Sequence, residues 1–275
     1  MTDEIYNSLC LTGTAATITD LLGTQRPEFA AEPLTQVLSL AERSFGRARA
    51  DRVFMFNPDA IALWLVQKYT ERFSPLFSNT RLWLPLLSIE PSVTPVCFAS
   101  MYTGALPEVH GIKAYKKPVL TTDTVFDALI RSGKKPVIIS TEGDSISKIF
   151  LERNMDYFIY PSEEECVQKA LSLIEEDGYD MYVLYNGNYD SEMHHFSPEG
   201  RQALDALDDN IRTFSLIAEK IRGCWKSHDT LLAFAPDHGC HEIDGGLGSH
   251  GLMMPEDMNI AHFYETIKGD SNGRD

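Results

Sequence analysis

A chain of 275 residues, 43% of them hydrophobic, has the material for a large α/β domain with a sizeable buried core. Its formal net charge of −16 disfavours nucleic-acid polymers and anionic membrane surfaces as partners, because the mean field repels polyanions. A small phosphorylated substrate stays compatible with that charge, since bound cations invert the local sign.

Cys10, Cys97, Cys166, Cys224 and Cys240 are odd in number, scattered and without a CxxC pattern. The opening stretch MTDEIYNSLC has no basic segment and no continuous apolar one. No apolar run approaches the roughly 18 residues of a membrane span. The expectation is a cytoplasmic protein with reduced thiols and no membrane partner.

In chain order, residues 1–50 read as a mainly helical N-terminal segment, with ITDLLG and LTQVLSLAERSF at helical spacing and a break around Thr24–Pro33. RVFMFNPDA is a short apolar run ended by Asn57-Pro58-Asp59, which predicts a buried strand. IALWLVQKYTERF returns to helical period. LWLPLLSIEP leads into PSVTPVCFASMYTGALPEVHGI, where a helix is expected to begin just after Thr94. TDTVFDALIRSG reads as a capped helix stopped at Gly133, and KKPVIIST as the strand after it.

ECVQKALSLIEEDG is the next helix and DMYVLYNG the next strand. SPEGRQALDALDDNIRTFSLIAEKIRG is a long amphipathic helix with its cap at Ser197 or nearby, and DTLLAFAPDHG is a further strand. Strands alternating with helices predict an α/β fold, a three-layer α/β/α sandwich with a mostly parallel central sheet, in a single domain over 1–275. The polar stretch GDSNGRD, 269–275, is expected to be a flexible tail.

Three predicted strands run into carboxylates: VFMFNP into Asp59, MYVLYNGNY into Asp190 and LLAFAP into Asp237. In open parallel sheets ligands bind beyond the strand C-termini. Asp237 is followed at once by His238, Asp190 four residues later by His194, and GGLGSHG brings His250 shortly after. Carboxylate with imidazole is a donor set for zinc or manganese. Each piece alone has an ordinary structural use, such as a helix cap for Asp59 or a loop ion pair for Asp190 and His194; their common sheet edge is what joins them. Gly246, Gly248 and Gly251 formally spell GxGxxG, but the motif does not follow a strand and Pro255 interrupts the helix it should open. Those glycines instead suit a loop that returns His250 to the other ligands.

TPVCFASMYTGALPEVHGI resembles the nucleophile segment of the alkaline phosphatase superfamily, in its nucleotide pyrophosphatase/phosphodiesterase branch: Thr94, Ser100, Thr103-Gly104 and Pro107 to Ile112 keep that spacing. Pro236–Gly239 is similar to the family's Ser-Asp-His-Gly, and Gly248–Gly251 to its last histidine motif. Asp190 and His194 match its Asp-x-x-x-His, and Asp59-Ala60 aligns with its Asp-Gly. The resemblance implies an alkaline phosphatase-like core without a large cap domain. It also implies one cation held by Asp190, His194 and His250, and a second by Asp59, Asp237, His238 and the Thr94 oxygen. Zinc is the expected metal, with manganese as the alternative.

On that resemblance the chain is a metal-dependent phosphohydrolase, a phosphodiesterase/nucleotide pyrophosphatase or a phosphomonoesterase. Cation charge lowers the pKa of the Thr94 hydroxyl, which attacks phosphorus in line and forms a phospho-threonine intermediate. Diesterase relatives carry asparagine three residues after the threonine, as a donor to phosphate; here that position is Cys97, a weak donor. This leaves diester against monoester open and points to the Pro95–Cys97 backbone, His195 or Lys113 as substitute donors. A phosphomutase of the same superfamily is disfavoured, because about ninety residues between Thr94 and Asp190 read as core and leave no room for a cap. A degenerate metal-binding interaction protein is disfavoured by the complete ligand set. Oligomeric state and natural substrate stay open, with specificity expected from the 113–120 and 141–165 loops.

Overall fold

Residues 5–270 are described in the computed structural model. Along the chain the strands are β1 (Arg52–Pro58), β2 (Leu82–Leu87), β3 (Pro136–Thr141), β4 (Asp156–Tyr160), β5 (Met181–Asn186), β6 (Thr230–Phe234), β7 (His241–Ile243), β8 (Leu247–Ser249) and β9 (Asn259–Ile267). The helices are α1 (Gly13–Leu22), α2 (Thr35–Phe45), α3 (Leu63–Lys68), α4 (Ser74–Ser78), α5 (Thr94–Thr103), α6 (Pro107–His110), α7 (Val125–Arg131), α8 (Ile146–Ile149), α9 (Glu163–Glu176), α10 (Asn188–Phe196), α11 (Arg201–Cys224) and α12 (Pro255–Met258).

Seven strands form the central sheet in the order β2-β9-β6-β1-β5-β3-β4, while β7 and β8 form a separate hairpin. β6, β1, β5, β3 and β4 pair in parallel, and β9 and β2 add an antiparallel edge. The period of two along β1 divides its side chains between two cores. Val53 and Met55 pack with Leu21, Val37, Phe98 and Phe126 on one face; Phe54 and Phe56 pack with Leu65, Leu173, Leu207 and Phe214 on the other. The layers are therefore helix, sheet, helix, as the alternation predicts. Helix α11 earns its length from an apolar stripe (Leu204, Leu207, Ile211, Phe214, Ala218 and Ile221) at spacings of three and four.

Several boundaries differ from the sequence reading. The IALWLVQKYTERF helix stops at Lys68, and the Thr70 hydroxyl bonds the Val66 carbonyl that a further turn would use. LWLPLL is an edge strand, where Pro85 is tolerated. The stretch 141–165 is not simply loop, since it holds α8 and β4, and 238–250 contains the β7–β8 hairpin. Ser197 does not cap α11, which Gly200 does; Ser197 closes α10 at φ 62°. Of the tail expected at 269–275, residues 271–275 lie outside the described residues, while the Gly269 amide donates to Asp229 (3.1 Å) and the Asp270 amide to the Lys226 carbonyl (2.6 Å). No helix among the described residues is long and apolar enough to cross a membrane.

Because β6, β1, β5 and β3 run in parallel, their C-terminal ends share one edge, and Asp237, Asp59, Asp190 and Asp144 all follow them there. The Asp144 carboxylate accepts the Thr141 and Ser140 hydroxyls, and burial together with the Asp59 charge pushes it up to about 7. A carboxyl raised above its unfolded value of about 3.9 is charged at a cost in the fold, so stability falls as pH rises from about 4 to about 7. Asp144→Asn keeps an acceptor without the charge. In urea unfolding the variant is expected to gain about 2–3 kcal/mol on the parent protein between pH 5 and pH 8. An offset that does not change with pH would show that the folded carboxyl titrates as in the unfolded chain.

Candidate metal centre

Asp190 and His194 lie on one face of α10, one turn apart, rather than in a loop. The His194 Nε2 and His250 Nε2 approach the same oxygen, Asp190 Oδ1, at 3.3 and 3.4 Å. His250 reaches them because the β7–β8 hairpin lies against α10: a Cβ at Gly248 would fall 2.5 Å from the Met193 carbonyl oxygen, so only glycine admits this approach. That contact also places the Gly248 carbonyl 2.9 Å from His194 Nδ1.

Asp59, Asp237 and His238 meet beyond β1 and β6. His238 Nε2 lies 3.3 Å from Asp59 Oδ1 and 3.5 Å from Asp237 Oδ2. Thr94, the first residue of α5 and buried, points Oγ1 into this group, 3.3 Å from Asp59 Oδ2 and 3.4 Å from His238 Nε2. Ala60, at the position of the family's glycine, adopts φ 63°, and its amide donates to Asp237 Oδ1 (3.4 Å). A left-handed conformation costs a non-glycine residue about 1–2 kcal/mol, so strain is held beside the site. The His238 and His250 rings stack at 4.1 Å between centroids, which makes the two triads neighbours.

The donors fit divalent cations on two counts. Asp59 Oδ1, Asp190 Oδ1 and Asp237 Oδ2 are all shut off from solvent without a hydrogen-bond partner. Each histidine also donates Nδ1–H to a backbone carbonyl at 2.9 Å: His194 to Gly248, His238 to Gly239 and His250 to Ser92. That bond fixes the tautomer and leaves Nε2 facing the carboxylates, as metal-binding histidines are held.

The electrostatics agree. Burial and the Asp190 charge push Asp59 up, and burial and the Asp59 charge push Asp237 well up, so ionising both requires added positive charge. Burial opposes the Asp190 charge too, but His194, His250 and His238 hold that carboxyl below its usual range. Burial and the neighbouring His238 lower His250 to about 3. The neighbouring Asp190 carboxylate raises His194; a proton on its Nε2 would take the place a cation would fill.

All seven predicted residues are thus gathered at one edge. The proposed substitutes for the phosphate donor are not. The Val96 and Cys97 amides both donate to the Val93 carbonyl, Pro95 has no amide, and Lys113 and His195 are exposed, with His195 Nδ1 bonded to Ser191. Cys97 is fully buried, its thiol between Ser88 Oγ (3.2 Å) and the Ile89 carbonyl (3.7 Å). Ser100 and His110 are buried partners: the Ile112 amide donates to His110 Nδ1 and His110 Nε2 to Ser100 Oγ (2.9 Å), which fastens the segment after α5. The sequence reading missed Tyr185, whose phenol donates to Asp59 Oδ2 while burial holds it well above its ordinary pKa. Its position at the end of β5 was the available signal.

No family model and no curated protein matches the sequence. Solved structures do match in fold. Murine ectonucleotide pyrophosphatase/phosphodiesterase 5, in an inactive threonine-to-alanine variant in complex with AMP, aligns with a TM-score of 0.58 at 15% identity over 71% of this chain and 59% of that one. The human protein of that name gives 0.56 at 16% identity over 70% and 58%. Phosphonoacetate hydrolase from Sinorhizobium meliloti, in complex with phosphonoformate, gives 0.53 at 16% identity over 71% and 59%. The chain thus spans less than two thirds of the length of these proteins. At such identity the likeness is one of fold: the chain and these structures share an alkaline phosphatase-like α/β core.

Proposed function

We propose that this chain is a two-metal phosphohydrolase that acts through a phospho-threonine intermediate on a small phosphorylated substrate, with Asp190, His194 and His250 holding one cation and Asp59, Asp237, His238 and Thr94 the other. The observation that carries the reading is the set of unpartnered carboxylate oxygens facing tautomer-fixed imidazoles, with a buried threonine hydroxyl between them. Bound there, divalent cations supply the positive charge that phosphoryl transfer requires at the attacking and departing oxygens. Zinc suits the mixed donors, with manganese as the alternative. The free cysteines among the described residues fit a cytoplasmic setting.

The chain's own groups then divide the work. Thr94 Oγ1 forms the bond to phosphorus as the bond to the leaving oxygen breaks, and Asp59 Oδ2 is the nearest acceptor for the hydroxyl proton. Water then cleaves the phospho-threonine, restoring the hydroxyl and releasing phosphate, a phosphate ester or a phosphonate. Asp190 and His194 lie on the more exposed side, where substrate and water enter. Hydrolysis is favoured over intramolecular transfer because residues between Thr94 and Asp190 build α6 to α9 and β3 to β5, with no inserted cap among them. The fold neighbours support the substrate class, being described in complex with AMP and with phosphonoformate.

Thr94→Ala is expected to lower release of p-nitrophenol from phosphate mono- and diesters by at least about a thousandfold, while elemental analysis finds the parent metal content. Undiminished turnover in that variant would remove Thr94 from the chemistry. Chelator treatment of the parent protein is expected to abolish turnover and lower the melting temperature, with zinc or manganese restoring both. Asp237→Asn is expected to lose metal; a variant with full metal and full rate would refute the ligand assignment.

A further inference from the structure

Beyond β6 the chain leaves the sheet. The Ala235 amide still donates to the Phe56 carbonyl (2.8 Å), but Pro236 has no amide, and Ala235, Pro236 and Asp237 present three consecutive carbonyls in a fully buried segment. Each is met by a buried side chain from a different part of the fold. Asn57 Nδ2 on β1 donates to Ala235 (2.7 Å), His262 Nε2 on β9 to Pro236 (2.8 Å), and Ser88 Oγ just after β2 to Asp237 (2.6 Å). His262 is neutral there, lowered by burial to about 4, with Nδ1 accepting the Tyr264 hydroxyl (3.1 Å).

Asn57 does more than fill one place in this cradle. It precedes Asp59 by two residues, and its Oδ1 accepts the Tyr102 hydroxyl (2.5 Å) from α5, the helix that begins at Thr94. One amide therefore joins the strand of Asp59, the segment of Asp237 and His238, and the helix of Thr94. The join needs a donor and an acceptor on the same short side chain: aspartate lacks the donor and leucine lacks both.

We infer that Asn57 is a positioning residue for the metal centre, holding Asp59, Asp237 and Thr94 in register through its bonds to Ala235 and Tyr102. The inference rests on the two-metal reading above. It separates two effects: the Ala235 bond sets the spacing of Asp59 against Asp237 and His238, and the Tyr102 bond sets the placement of Thr94. Asp190 and His194 make no hydrogen bond to Asn57 or Tyr102, and His250 reaches this part only through the Ser92 carbonyl and the His238 ring.

The test titrates metal-free protein with Co2+, followed by visible absorbance and calorimetry, and then measures p-nitrophenyl ester turnover at saturating metal. The parent protein is expected to take up two equivalents. Asn57→Leu is expected to weaken one of them at least tenfold and leave the other within twofold. Tyr102→Phe, which keeps the ring packed on Phe98, Phe126 and Phe150, is expected to bind both equivalents normally while kcat falls about tenfold at constant KM. Tyr157→Phe, which removes a phenol bonded to the Phe150 carbonyl (2.8 Å), serves as a stability control and is expected to lower the melting temperature without changing kcat.

The inference is overturned if Asn57→Leu binds both equivalents like the parent or weakens both alike, or if Tyr102→Phe retains the parent kcat. Should Asn57→Leu fail to fold, the Tyr102→Phe arm decides. A parent protein that binds fewer than two equivalents overturns the two-metal reading and this inference together; that failure is distinguishable because it appears before any substitution.

Discussion

Carboxylate oxygens without hydrogen-bond donors, closed off from water beside one another, set the terms for the rest of this molecule. Burial and the Asp190 charge raise the cost of ionising Asp59, and burial and the Asp59 charge raise that of Asp237, with little solvent to screen either. A scaffold that keeps such groups together must do so rigidly, or they would separate or turn to water. Much of the polar bonding around the site serves that purpose. Three imidazoles are fixed by backbone carbonyls, Tyr185 anchors the free side of Asp59, and the carbonyls leading to Asp237 are each held by a side chain.

The sheet order explains how ligands far apart in sequence come together. β6, β1 and β5 are adjacent, so their ends present Asp237, Asp59 and Asp190 side by side, although the chain visits them as 59, 190 and 237. Parallel strands lie about 4.8 Å apart, which keeps the three carboxylates close together. Asp59, just beyond the central strand β1, lies between Asp190 and Asp237. α5 then enters over the same edge and delivers Thr94 at its first residue.

The candidate site residues were legible because each belongs to a short motif whose spacing is set by local geometry. Asp190 and His194 stand one helical turn apart, Asp237-His238 follows a buried strand, and His250 sits among glycines. Four of the parallel strands, β1, β3, β5 and β6, were equally readable from apolar runs ended by turn residues, while β4 was expected as loop. Elements defined by distant partners were less legible. β2 and β9 make an antiparallel edge whose pairing joins residues 82–87 with 259–264, a relation that no local window contains. The supporting groups Asn57, Ser88 and His262 were hidden for the same reason: a buried polar side chain declares its purpose only when the carbonyl it meets is known. The α10 helix was concealed by Gly187, which reads as a turn but stands as its N-cap.

Cys97 shows how the same geometry bears on substrate choice. Here the thiol lies with the Ile89 carbonyl and Ser88, and Ser88 in turn donates to the Asp237 carbonyl. Through Ser88 this position supports the segment that carries Asp237, so on the proposed function a donor to phosphate must come from other segments. The segments on offer are the ones flanking β3's C-terminal end. Lys117 donates to the Gly143 carbonyl (2.8 Å) and the Leu120 amide to the Ile149 carbonyl (2.8 Å), so the two stretches expected to set specificity are bonded into one wall. Asp144 stands in that wall, within reach of both the Lys117 and the Asp59 charges. On the proposed function, a carboxylate there repels a phosphate dianion more than a monoanion at any pH where Asp144 is ionised.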